Sequence, residues 1–114
     1  MKYFIVSVFI VSLLFGCTKS VIIETPTEPI TETITYNSHV STIMFNFCTT
    51  CHSGAAPSGG VNLTTYQNVR FQAESGNLVT RMNNASNPMP PTGLLSAAQL
   101  QIIDKWVQDG FPEN

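Results

Sequence analysis

Charge is scarce in this chain. Only 11% of its 114 residues are Asp, Glu, Lys or Arg, and Lys and Arg together number five. No basic stretch is present, which argues against a nucleic-acid partner. Disorder is argued against as well, since a disordered chain carries more charge and less than the 43% apolar content seen here. Cysteine is sparse and odd in number, at three, so a framework of disulfides cannot account for all of them. No apolar run reaches the roughly 20 residues that cross a bilayer. No run alternates convincingly as a strand, and no segment repeats. The length suits one domain rather than two.

What is present begins with an address. Lys2 supplies one positive charge, and Tyr3 to Phe15 is apolar apart from Ser7 and Ser12. These are the n-region and h-region of a secretory signal. The run stops at Leu14-Phe15-Gly16-Cys17, which resembles a bacterial lipobox. The resemblance implies removal of residues 1–16 and lipidation of Cys17, with several acyl chains anchoring the protein to a membrane. The expected location is extracytoplasmic, facing the periplasm or on the outer membrane. Residues 17–36 read as a semi-extended tether: Pro26 and Pro29, many Thr, and Glu24, Glu28 and Glu32, which repel one another.

Residues 37–114 are expected to form the single domain, all-α, with three to five short helices and long loops. Val40, Ile43 and Phe47 mark one stripe over Ser38 to Phe47. Thr64 or Thr65 can cap a helix through Tyr66, Val69 and Phe71. A short helix over Asn77 to Asn83 would turn Leu78, Val79 and Met82 inward. The last helix is the clearest. Ser96 and Gln99 form a capping box, Leu95 and Leu100 a hydrophobic staple, and Gly110 with Pro112 ends it. So thin a core wants a staple or a prosthetic group.

Cys48-Thr49-Thr50-Cys51-His52 is C-x-x-C-H, the attachment signature of c-type haem. Two thiols three residues apart can reach the two vinyl groups of one haem, and the adjacent His52 can offer Nε2 to the iron. A thioredoxin-like dithiol would want a βαβ surround. A zinc ion would want four ligands, and only His39 remains as a further strong one. A Cys48–Cys51 disulfide is the third rival. The secretory signal favours haem, because the cysteines are joined to it outside the cytoplasm.

The sixth ligand is sought among Met44, Met82 and Met89. Met89 lies in Asn87-Pro88-Met89-Pro90-Pro91, whose prolines fix the backbone on both sides of the thioether. Met82 and Met44 sit on helical stripes and read as packing residues. His39 reads as a solvent-facing residue, with a second axial role as its sharper alternative.

Taken together, the C-T-T-C-H motif, G-G-V-N-L at 59–63, N-P-M-P-P and the L-S-x-x-x-L-x-x-I-x-x-W-V-x-x-G helix resemble small bacterial monohaem cytochrome c domains. The resemblance covers about residues 36–114. It implies a class I-like cytochrome c fold in which the first and last helices cross near one covalent haem c. It implies His52 as proximal and Met89 as distal ligand, with Trp106 packed near the helix crossing. A haem with both axial positions filled favours outer-sphere electron transfer, and Met ligation raises its potential relative to two His ligands. The expectation is therefore a monomeric electron carrier on a lipid anchor, not an enzyme, exchanging electrons with redox partner proteins. Alternatives are a five-coordinate haem protein that senses or reacts with a small ligand, and a haem-free accessory lipoprotein with a Cys48–Cys51 disulfide. Lys105 is the only lysine after residue 36, so partner docking is expected to use apolar and neutral polar residues rather than positive steering.

Overall fold

The computed structural model describes residues 28–114. The signal segment 1–16, Cys17 and the first part of the tether lie outside the described residues. The described chain is all-α, with no strand among the described residues. None of its helices is long and apolar enough to cross a membrane.

The first helix opens with a wide π turn, Tyr36–Val40, that runs directly into α1, Ser41–Phe47. The turn is wide because the amides of both His39 and Val40 donate to the Thr35 carbonyl, at 3.1 and 3.4 Å. Val40, Ile43 and Met44 face inward. Phe47, placed by its spacing on the same stripe, is instead 41% exposed, because α1 ends there and the ring turns toward a cleft.

α2, Tyr66–Glu74, starts at Thr65, whose hydroxyl accepts from the Asn68 amide. Val69 is its buried residue, while Phe71 is 61% exposed. Two residues apart on a helix is about half a turn, so these two cannot share a face. α3, Leu78–Met82, buries Leu78 and Met82, which are four apart and therefore on one side. α4, Ala97–Gln108, carries the full capping box between Ser96 and Gln99 and ends at Gly110 with φ +82.

The core holds Ile34, Tyr36, Val40, Ile43, Met44, Leu63, Val69, Leu78, Met82, Leu95, Ile103 and Trp106. Trp106 is fully buried among aromatic rings. Phe111 meets it edge-on at 5.1 Å, and Tyr36 and Tyr66 lie at 6.1 and 6.4 Å. Such pairs contribute about 0.5–1.5 kcal/mol each beyond their burial. The segment after α4 doubles back over them. The Pro112 carbonyl accepts from the Trp106 indole N–H and from the Tyr36 amide, both at 2.9 Å. The Asn37 amide donates to Glu113 at 3.0 Å.

The packed unit starts earlier than residue 37. Ile34 is 1% exposed, and its amide donates to Asp109 Oδ2 at 3.2 Å. Further upstream, Gln101 of α4 donates to the Glu28 carbonyl, and Ile30 packs against the core. The second half of the expected tether is thus a strap laid on α4. Its Ile residues supply apolar area that a core this small needs.

Candidate cofactor cleft

Cys48 follows directly on α1, and residues 48–52 continue as a tight turn. The amides of Cys51 and His52 both donate to the Cys48 carbonyl, at 3.2 and 2.9 Å. The loop beyond returns through Gly59 and Gly60, which take φ +62 and +71, a region open to glycine at little cost. That return places Val61 behind His52. The His52 Nδ1 lies 3.0 Å from the Val61 carbonyl. A carbonyl only accepts, so Nδ1 carries the proton, and in the neutral ring Nε2 keeps the free lone pair. The His52 carbonyl in turn accepts from the Leu63 amide at 2.8 Å.

Cys48, His52 and Met89 line one cleft. It consists of two adjoining hollows of about 320 and about 330 Å³ that share Phe47, Cys48, His52, Ser58 and Met89. The inner hollow is walled by Val61, Leu63, Leu78 and Met82. The outer one is bounded by Cys51, Pro90 and Pro91. No Asp or Glu lines either hollow. Residues 41 positions apart in the chain thus meet in a mostly apolar space, a setting that binds a flat apolar group more readily than a hydrated ion.

Both thiols are free, Cys48 half-buried and Cys51 exposed. Burial pushes the Cys48 thiol up to about 11. A redox-active dithiol needs the opposite, a thiol lowered toward neutrality. Among the described residues no three His, Cys, Asp or Glu side chains gather as ligands of a bare metal ion.

Met82 contributes to the inner wall and is buried in the core. Met44 is also in the core. His39 is absent from the cleft lining. Its Nδ1 accepts from the Thr35 amide at 3.2 Å, and its Nε2 lies 3.9 Å from Glu32. Two cleft residues had no signal in the sequence. Phe47 reads there as a core residue, and no motif or spacing singles out Arg81, yet both line the inner hollow.

The chain matches no family model, no curated protein and no solved structure. Function is therefore read from the cleft residues and their chemistry.

Proposed function

We propose that this chain is a small c-type cytochrome of class I-like fold, lipid-anchored through Cys17, that carries single electrons between extracytoplasmic redox proteins. The observation that supports it best is the meeting of His52 and Met89, with Cys48 beside them, in one apolar cleft. The locked tautomer of His52, with Nε2 free, points the same way. The packing of Tyr36, at the start of the first helix, near Trp106 of the last suits the helix crossing of such a fold.

The residues present fit a haem. Cys48 and Cys51 would hold it through thioethers, and His52 Nε2 and Met89 Sδ would be the side-chain atoms that hold its iron. When bound, the group supplies a one-electron ferric–ferrous couple. The chain's own part is to hold and shield. Val61 fixes the His52 ring through Nδ1, which also raises the basicity of Nε2. Leu63, Leu78 and Met82 exclude water from the inner hollow. Pro88 and Pro90 hold the backbone on either side of Met89. With both His52 and Met89 engaged in this way, the chemistry supplied would be electron exchange without ligand binding. Phe47 and the prolines of the outer hollow give partners an apolar rim.

The test is direct. Protein secreted by a host that attaches haem should show a pyridine haemochrome and a mass increase of one haem, both abolished in the Cys48→Ser/Cys51→Ser double variant. Met89→Ala should lose the methionine–iron charge-transfer band of the ferric form and gain rapid carbon monoxide binding in the ferrous form. Wild-type protein without covalent haem overturns the reading.

A further inference from the structure

We propose that Arg81 is the positioning residue of the Met89 loop and the counter-charge of the cleft. This deepens the haem reading and rests on it.

Two observations lead there. The first is a double clamp. The Arg81 carbonyl accepts from the Met89 amide at 3.1 Å, and its Nη2 donates to Asn87 Oδ1 at 3.1 Å. Pro88, Pro90 and Pro91 have no amide hydrogen, so Met89 owns the one backbone donor of residues 88–91, and it is spent on Arg81. The loop upstream is closed by Asn84, whose Oδ1 accepts from Ser86 and Asn87 at 3.0 and 3.1 Å. Arg81 lies on α3, which is fixed to the core by the buried Leu78 and Met82. One residue thus grips the loop that carries the thioether from both its backbone and its side chain.

The second observation is an unbalanced charge. Arg81 is the only Lys or Arg among the residues lining the two hollows, which contain no Asp or Glu. No carboxylate lies within ion-pair distance of it among the described residues. A guanidinium at the edge of apolar walls is favoured when the occupant of the cleft brings an anion. Haem carries two carboxylates, and the Arg fork pairs with such groups in a way that the lysine point charge does not. Gln72 and Asn77 line the same hollow and add neutral hydrogen-bonding groups to it.

The two roles separate by substitution in the full chain, with haem content, the methionine–iron band and the midpoint potential as readouts. Arg81→Gln removes the charge and the fork; covalent haem should stay at the wild-type level, the band should weaken, and the potential should fall because the ferric form is no longer opposed by a nearby cation. Arg81→Lys should hold the potential close to wild type while the band stays weak. Asn87→Ala should weaken the band without moving the potential. Haem-loaded Arg81→Gln with wild-type band and potential overturns the proposal while the cytochrome reading stands. If Arg81→Gln yields no holoprotein, an unchanged band in both Arg81→Lys and Asn87→Ala overturns it. Absence of covalent haem in the wild type overturns both readings together.

Discussion

The Nδ1–H of His52 donates to the carbonyl of Val61 at 3.0 Å. That bond aims the imidazole from behind, and it depends on a turn made by two glycines with positive φ. A Cβ at Gly60 would meet nothing within 4 Å, so the cost of adding one is backbone strain alone. Gly60→Ala is expected to lower the free energy of unfolding by about 1–2 kcal/mol. Urea denaturation reads this directly, and an unchanged midpoint would mean that the turn is not held in this conformation.

Ile34 belongs to the core although it lies in a stretch whose composition suggests a linker. Ile34→Ala is expected to cost about 2–5 kcal/mol. A chain starting at residue 37 also loses Tyr36 and the Pro112 pairing, and should fail to show a cooperative unfolding transition. Full stability in that shortened chain would refute the strap.

Trp106 contributes through both packing and its indole N–H. Trp106→Phe keeps most of the aromatic contact but frees the Pro112 carbonyl from one bond, which should cost about 1 kcal/mol or somewhat more. Trp106→Ala removes the ring as well and should cost about 3–5 kcal/mol. Equal effects from the two substitutions would assign the whole contribution to the hydrogen bond.

Acid should loosen the α4 end of the molecule. The Asp109 carboxyl is held below its ordinary range, first by the hydrogen bond from Lys105, then by the Ile34 amide and by attraction to the Lys105 ammonium. A carboxyl whose pKa is lower when folded stabilises the fold fully above its unfolded value of about 3.9. That stabilisation is lost as pH falls through the lower folded value. The stability gap between wild type and Asp109→Asn should therefore be constant from neutrality down to about pH 4 and close below it. Thermal melts across that range check the sign, and a gap that persists at low pH would refute it.

Much of the helical layout was legible because its signals are local. The Ser96–Gln99 capping box, the Thr65 cap and the Gly110 stop each act within a turn of the residues they govern. The C-T-T-C-H motif was legible for the same reason. What stayed hidden depends on distant partners. Ile34 is a core residue only because Asp109 and α4 lie beside it. Phe47 fits the α1 stripe by spacing, but the helix ends beneath it, and that is set by the turn at Cys48. Arg81 becomes part of the cleft only when residues 84–89 fold back onto α3. The pairing of Met89 with His52 was an expectation from the proline-flanked loop and from a resemblance; their shared cleft comes from tertiary contacts that no periodicity reports.

The clasp of Tyr36 and Asn37 onto residues 112–114 has a mechanical side. Every residue of the cleft, from Asn46 to Thr92, lies inside the stretch that this clasp closes. A pull on the chain from its N-terminal side is met first by the Gln101–Glu28 bond, next by the Ile34–Asp109 bond and then by the Pro112 carbonyl. The force is taken up at the strap and the aromatic cluster, before it reaches the Cys48–His52 turn. A domain built this way can be tugged from its N-terminal side without changing the geometry around His52 and Met89.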